Sequence, residues 1–168
     1  INGSLYLSGM MKGGFAPYGE EEARIASKST PLNGFVIKCD ASNGEWLGGV
    51  SADEQGIGGY FGVAKGKENN LYAYGYSWAT PNKGICLTTI DESSWEKTEK
   101  IALITETGMG TAWSCLADGT NFYSFSRGNK AVNFYNSEFT LPAHTGWGMF
   151  ISSWKLDDIA TGIETPNL

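Results

Sequence analysis

The sequence predicts an all-β fold built from antiparallel strands that recur in units of about 50 residues. Short segments alternate apolar and polar residues with a period of two, which is typical of half-buried strands. Gly is abundant, with 23 residues in 168, and it falls between these segments where tight turns are needed. Similar segments also recur along the chain in a constant order, which indicates repeated structural units.

The clearest predicted strands are rich in aromatic and β-branched residues and are bounded by Gly, Asn, Asp or Lys. They are residues 71–76, 85–90 and 101–105. Turns are predicted between strands at three dipeptides whose residues tolerate positive φ. These dipeptides are Asn43 with Gly44, Asp118 with Gly119, and Gly128 with Asn129.

Residues 19–28 are the helical candidate, because residues 20–24 are good helix formers. An exposed acidic loop is the preferred interpretation, since Gly19 and Pro17 leave room for barely two turns.

Internal repetition is the most informative feature of the sequence. An apolar strand with a central tyrosine occurs three times, at Tyr6, Tyr72 and Tyr123. A second strand follows each copy, ends on Asp and begins at Gly34, Gly84 or Gly148. We expect the copies to superpose, with each Gly-to-Asp strand paired to its tyrosine strand.

Two further strands complete the predicted unit. A turn after the first two Gly-to-Asp strands leads to a tryptophan, Trp46 or Trp95, and to a third strand. The sequence places these two rings at equivalent positions and predicts that they pack between units. A fourth strand precedes the later tyrosine strands, at residues 59–64 and 110–116.

Units of about 50 residues with four short antiparallel strands are typical of β-propeller blades. The strand motifs N-G-x-[LF]-Y and G-F-[IV]-x-K-x-D resemble bacterial β-propeller repeat families of envelope and secreted proteins. The repeats divide residues 1–159 into one all-β domain, followed by a C-terminal linker. The predicted units are 1–52, 56–106 and 108–159, and the linker is 160–168.

Three units are fewer than the roughly four to eight blades that close a propeller. Three alternatives therefore stay open. The chain is the C-terminal part of a larger propeller, it pairs with another chain, or its strands form a β-sandwich or jelly roll.

The end of the chain carries a second resemblance. Residues 154–168 contain the run T-G-I-E after the last predicted strand. This run is similar to the junction between the last folded strand of bacterial surface proteins and their C-terminal sorting or anchoring tail. The resemblance implies a secreted or cell-surface protein, whereas the alternative is that Gly162 and Pro166 only end the strand.

Charge and composition exclude several partner classes. The formal net charge is −6 and only two arginines are present, so we expect no binding to nucleic acid. No apolar run approaches the roughly 18 residues of a membrane helix, so no transmembrane span is predicted. The three cysteines lack C-x-x-C spacing and are expected to be buried free thiols, although one disulfide is the alternative.

Catalytic and metal-binding patterns are absent from the sequence. The chain has a single histidine, His144, and none of the common nucleophile, phosphate-binding or zinc-protease motifs. Asp157 and Asp158 lack the spaced oxygen ligands of a calcium loop and are interpreted as a solvated turn. We therefore predict no cofactor, no metal and no catalytic residues.

The candidate binding residues are aromatic and polar side chains in predicted loops that would share one rim of the repeat units. Such rings flanked by amides and charges suit sugars or other polar ring ligands. The alternative is that the rings fold inward as small loop cores. The predicted ligand-binding residues are Phe15, Tyr18, Tyr76, Trp78, Asn82, Arg127, Tyr135, His144 and Trp147.

Two function classes follow from this pattern. The leading hypothesis is a non-catalytic secreted or surface binding module that recognises a glycan or another extracellular ligand. The alternative is a structural or assembly domain that contacts a neighbouring protein chain. An enzyme fragment acting on glycosides is the less favoured third hypothesis, because any acidic β-protein offers pairs of carboxylates.

Overall fold

A computed structural model of the chain describes residues 3–17, 19, 24–26, 32–52, 57–77, 84–104, 110–128, 132–133, 140–141 and 146–156. The described residues form fourteen strands, and all observed strand pairs are antiparallel. The all-β prediction is therefore confirmed. The strands are β1 (Ser4–Met11), β2 (Gly14–Phe15), β3 (Ile25–Ala26), β4 (Asn33–Asp40), β5 (Trp46–Ser51), β6 (Ile57–Lys65), β7 (Asn70–Ser77), β8 (Gly84–Asp91), β9 (Lys97–Ile104), β10 (Gly110–Ala117), β11 (Asn121–Gly128), β12 (Val132–Asn133), β13 (Thr140–Leu141) and β14 (Gly148–Lys155).

The strands form three larger sheets and one small hairpin. The first sheet has the order β1-β4-β5, and the third sheet has the order β10-β11-β14. The middle sheet has the order β13-β12-β9-β8-β7-β6. Strands β2 and β3 pair only with each other. The long strands thus pair with neighbours along the chain, as short antiparallel connections favour.

The middle sheet is packed on both of its faces. Leu71 and Ala73 of β7 share an apolar cluster with Val36 of the first sheet. Tyr72 and Tyr74, on the opposite face of the same strand, share another cluster with residues of the third sheet, including Phe122 and Trp154. The core therefore consists of two layers, one on each side of the middle sheet.

The burial of two strands reflects this stacking. The first seven residues of β8 are buried, and its sequence from Ile85 to Cys86 and Leu87 is continuously apolar. Strand β11 alternates between partly and fully buried residues along its whole length. The sequence predicts a half-buried strand over residues 85–90, but β8 is buried on both faces because sheets cover it from two sides.

The predicted pairing of the tyrosine strands agrees with the observed registers. Tyr6 lies opposite Lys38 in the first sheet, Tyr72 opposite Thr89 in the middle sheet, and Tyr123 opposite Ser153 in the third. Two predicted turns also contain glycines with positive φ, at Gly44 and Gly119. In each of the three sheets, the tyrosine strand therefore pairs with the strand that begins at Gly34, Gly84 or Gly148, after the first residue in the case of β4.

The structure corrects the predicted equivalence of the two tryptophans. Trp46 lies opposite Cys39, but the residue opposite Ile90 in the corresponding pair of strands is Lys97. Trp95 instead takes the turn position that Gly44 occupies in the first sheet, and its φ of 61° resembles the 76° of that glycine. The prediction was wrong because the two turns were aligned on residue type rather than on backbone hydrogen bonds.

Two other expectations differ from the structure. Among the described residues, four consecutive strands of one predicted unit are found only in the middle sheet, as β6 to β9, whereas the outer sheets have three strands each. Residues 25–26 of the helical candidate form β3, which pairs with β2. Apolar packing of Ile25 with Met11 and Ile37 accounts for this short strand, because it covers the first sheet.

Candidate functional site

The third sheet has one packed face and one open face. Phe122, Ser124 and Ser126 of β11 are buried toward the middle sheet. Their neighbours Tyr123 and Phe125 point to the opposite side, since side chains alternate along a strand.

The open face of the third sheet is rich in large apolar side chains. Exposed fractions are 51% for Trp113, 64% for Leu116, 61% for Met149 and 68% for Ile151. Such clustering is unusual for a solvent-facing surface and marks interaction sites. We define the open face as Trp113, Leu116, Tyr123, Phe125, Arg127, Trp147, Met149 and Ile151.

An arginine lies between two tryptophans at one end of the open face. The guanidinium carbon of Arg127 is 4.1 Å from the ring centroid of Trp147 and 5.8 Å from that of Trp113. Both distances fall within the range of cation–π attraction. The register shifts between Ala112 and Ser114, so Trp113 is the extra residue of a β-bulge. Bulges re-aim side chains, and this one brings Trp113 to the side of Arg127.

A shallow depression lies at the other end of the open face. Its volume is about 130 Å3, and its lining includes Leu116, Tyr123, Phe125 and Ile151. Small-molecule pockets usually measure roughly 300–1,000 Å3. The depression is therefore the size of a single side chain rather than of a sugar chain or a cofactor.

The structure brings two of the predicted ligand-binding residues together, Arg127 and Trp147, and Trp147 is 42% exposed. Two others pack against the core, where Phe15 is half-buried and Tyr76 is buried. Phe15 stacks on Phe35 and Trp46 with centroid distances of 5.9 Å and 5.8 Å. Tyr76 is only 8% exposed, and burial raises its pKa. The remaining predicted residues, Tyr18, Trp78, Asn82, Tyr135 and His144, lie outside the described residues.

A polar cluster joins the first sheet to the middle sheet. The carboxylate of Glu92 accepts hydrogen bonds from Lys38 and Lys65, and from the Tyr6 hydroxyl at 2.5 Å. The Glu92 side chain is only 10% exposed. Burial alone would raise the pKa of Glu92, but the donors outweigh it and lower the pKa to about 2. Each member of the cluster thus has a partner within it, and the cluster links β1 and β4 to β6.

The three cysteines lie in strands β4, β8 and β10. The three cysteines are free, and Cys86 is buried. Burial raises the pKa of Cys115 to about 12, so its thiol is protonated at neutral pH and is a poor nucleophile. In the described part of the chain, no three His, Cys, Asp or Glu side chains are grouped as a metal site. Within the same ranges, no helix is long and apolar enough to cross a membrane.

Sequence analysis missed most of the open face. It considered aromatic residues in loops, whereas Trp113, Leu116, Met149 and Ile151 lie within strands β10 and β14. The signal that would have found them is the alternation of β14, where Met149 and Ile151 are apolar on the side opposite Ser152 and Trp154. An exposed face of such a strand therefore presents apolar side chains to solvent.

Comparison of the chain with protein-family models and with curated proteins finds no match.

Proposed function

We propose that this chain is a non-catalytic binding module with β-propeller-like repeat units, and that its open face docks a protein partner. The observation that carries the proposal is the exposure of Trp113, Leu116, Met149 and Ile151, each at 51% or more, on one side of one sheet. Covering these side chains with protein would remove a large apolar area from water, which drives association.

The composition of the open face supports protein docking. Interface residues that contribute most binding energy are enriched in Trp, Tyr and Arg. The open face offers Trp113, Tyr123, Arg127 and Trp147, with aliphatic side chains around them. The side-chain-sized depression near Ile151 favours insertion of one anchoring residue over capture of a small molecule.

Photo-crosslinking in the native host tests this proposal. A photoreactive phenylalanine analogue at position 151 is expected to give discrete crosslinked protein species, because Ile151 is 68% exposed on the open face. The same group at position 41, in an exposed turn, is the matched control and should give none. If positions 113, 149 and 151 all yield no discrete species, the docking proposal fails.

A second candidate function is glycan binding. The protein would then bind its ligand at the cell surface, which is the location that the resemblance to a sorting-tail junction implies. This candidate is favoured by the partly exposed rings of Trp113 and Trp147, which offer stacking surfaces for sugars. A glycan array followed by titration of Trp113→Ala tests it. We expect binding to weaken about 5- to 150-fold, the range for losing an anchoring ring. An array without any hit at millimolar ligand would eliminate this candidate.

A further inference from the structure

The tyrosine strands of the three sheets differ in the number of strands that pair with them. In the middle sheet β7 lies between β6 and β8, and in the third sheet β11 lies between β10 and β14. Within the described ranges, β1 of the first sheet pairs with β4 alone. The edge of β1 that faces away from β4, here called the β1 edge, thus corresponds to the edges that β6 and β10 cover in the other two sheets.

Hydrogen-bonding groups of the backbone point toward the β1 edge. The Ala41 amide donates to the Gly3 carbonyl at 2.8 Å, and the register continues from this pair along β1 and β4. Residues of an antiparallel strand bond alternately to one side and to the other, so every second residue from Gly3 bonds to β4. The N–H and C=O groups of Tyr6, Ser8 and Met10 therefore point away from β4.

Strand β1 lacks the features by which sheet edges avoid pairing with another chain. Edge strands are commonly protected by charged side chains, proline, bulges or short length. β1 has eight residues, Ser4–Met11, and contains neither a charged residue nor a proline. Its register with β4 is continuous, without a bulge. An edge of this kind is a template for a further strand.

Large apolar side chains are exposed beside the β1 edge. The exposed fractions are 51% for Leu5, 40% for Leu7 and 46% for Met10, although the hairpin of β2 and β3 covers the neighbouring β4. Phe61 of β6 is 39% exposed. It lies near Met10, since a methyl group at Gly59 would be 3.3 Å from Met10 Cβ and 3.4 Å from Phe61 Cζ. A strand added beside β1 would shield these side chains from water.

The residues of β6 indicate what kind of strand fits at such an edge. Ala64 and Gly62 of β6 lie opposite Tyr72 and Tyr74 of β7. Both tyrosines face the third sheet, where space is limited. A methyl group added at Gly62 would lie 2.8 Å from the Cys115 Sγ atom. Only small residues therefore fit on the side of β6 that faces the third sheet.

The same constraint applies beside β1. Tyr6 corresponds to Tyr72 in the repeat, and it packs against the cluster between the first and middle sheets. Residues of an added strand opposite Tyr6 and Ser8 would face the middle sheet and need to be small. Residues opposite Leu5 and Leu7 would face outward, where apolar side chains can cover these two leucines.

We propose that the β1 edge binds an extended segment of a protein partner, which pairs antiparallel with β1 and alternates small with apolar residues. In this mode the ladder of backbone hydrogen bonds supplies affinity, and the alternate side chains supply specificity. The β1 edge belongs to the first sheet and the open face to the third. It is therefore a second interaction surface, and it goes beyond the docking function proposed above.

A synthetic peptide with the sequence of residues 57–66 tests the proposal, because it carries the pattern of small residues found in β6. The peptide is titrated into the isotopically labelled chain and followed by nuclear magnetic resonance. We expect saturable shifts in the amide signals of Tyr6, Ser8 and Met10. Ile151→Lys alters the open face alone and should leave this binding unchanged.

Two N-methylated forms of the peptide identify the mode of binding. In the structure, the Gly66 amide donates to the Asn70 carbonyl at 2.8 Å, so alternation directs the N–H of Ala64 toward the tyrosine strand as well. Methylation of the Ala64 nitrogen should weaken binding by about 5- to 150-fold, the loss expected when a buried hydrogen bond is removed. Methylation of the Val63 nitrogen, which points to the other side, is the matched control and should have little effect.

Three outcomes would overturn the proposal. The first is the absence of saturable binding at about 1 mM peptide, the weakest affinity that the titration detects. The second is an equal effect of methylation at the Ala64 and Val63 nitrogens, because strand pairing requires a difference. The third is a set of shifts confined to β7 or β14, which would place the peptide at another edge.

Discussion

Buried hydroxyl groups connect the middle and third sheets at the residue scale. The Tyr74 hydroxyl and the Ser126 hydroxyl are hydrogen bonded, and both side chains are fully buried. Burial strongly raises the pKa of Tyr74, so its hydroxyl stays neutral and suits an apolar environment. Beside it, Ser124 and Ser152 share a hydrogen bond of 2.6 Å within the third sheet. These pairs satisfy polar groups that would otherwise destabilise the core.

Tyr74→Phe should destabilise the protein by about 1–2 kcal/mol, because Ser126 would lose its buried partner. Tyr123→Phe is the matched control. Its hydroxyl bonds Asp118 at 3.0 Å on the exposed surface, so the expected change is within about 0.5 kcal/mol. Chemical denaturation of both variants measures the difference. Equal losses for the two variants would contradict the assigned role of the buried pair.

Glu92→Gln should destabilise the protein by about 2 kcal/mol. The substitution removes the charge that pairs with the two partly buried ammonium groups of Lys38 and Lys65. Glu45→Gln, at an exposed position, is the control and should have little effect. Denaturant unfolding of the two variants provides the comparison, and similar losses would show that the Glu92 cluster adds no stability.

The same carboxylate predicts a pH dependence. Its pKa falls from an ordinary 4.5 to about 2 on folding, so the stabilisation is complete above pH 4.5 and is lost as the pH falls toward 2. The stability difference between the native chain and Glu92→Gln should therefore be constant near neutral pH and shrink under acid conditions. Unfolding free energies at about pH 7, 4 and 2.5 measure this trend. A difference that stays the same at the lowest pH contradicts the assigned ionisation.

At the scale of elements, a tryptophan in a tight turn holds two sheets together. Trp95 follows β8 in the middle sheet, and its ring packs on Gly48 of β5 in the first sheet. A methyl group at Gly48 would lie 2.1 Å from the Trp95 Nε1 atom. The Trp95 ring can therefore occupy this place only because residue 48 of the facing strand is a glycine.

Gly48→Ala should destabilise the protein by about 1–3 kcal/mol through overpacking against the Trp95 ring. In a Trp95→Gly background the same substitution should cost less, because the clash with the ring is gone and only the backbone strain of alanine at the Gly48 φ of 156° remains. Gly146→Ala is the control, since nothing lies within 4 Å of its added methyl group. Melting temperatures of the native chain, of Gly48→Ala, of Trp95→Gly and of the double variant form a double-mutant cycle. Additive losses would mean that the glycine and the ring are not coupled.

The strands that can be predicted from the sequence are longer than those that cannot. Strands such as β7 and β14 have eight residues, enough for alternation to identify them. The two-residue strands β12 and β13 have no periodicity, yet they extend the middle sheet at its β9 edge. Similarly, the packing of β3 on the first sheet depends on distant residues, which a local pattern does not contain.

At the scale of the whole molecule, the candidate site depends on which faces remain uncovered. The sequence identifies Arg127 and Trp147 as candidate binding residues, but it places Phe15 and Tyr76 in the same group. Tyr76 is buried and Phe15 is half-buried, because other elements pack on them. The alternation of residues along β11 predicts which side chains share a face of the strand. Whether that face is covered depends on how many sheets stack and in which order, and this information is not contained in the sequence of β11.

Because the middle sheet is packed against another sheet on each of its faces, the three sheets should unfold together. Leu87 is 3% exposed and packs toward the third sheet, while its neighbour Cys86 packs toward the first. Because β8 contributes to both layers of the core, a cavity on one side weakens the strand that supports the other side. Leu87→Ala should cost about 2–5 kcal/mol, the range for truncating a buried leucine. Leu47→Ala, 45% exposed, is the control.

Hydrogen exchange under native conditions shows whether the loss is shared. We expect Leu87→Ala to reduce amide protection in β4 of the first sheet as well as in β11 of the third, by similar free energies, because both strands pack on the middle sheet. The Leu47→Ala control should leave protection in both strands nearly unchanged. Reduced protection confined to β11 would mean that the first and middle sheets form an independent folding unit. In that case the middle sheet would not couple the two layers of the core.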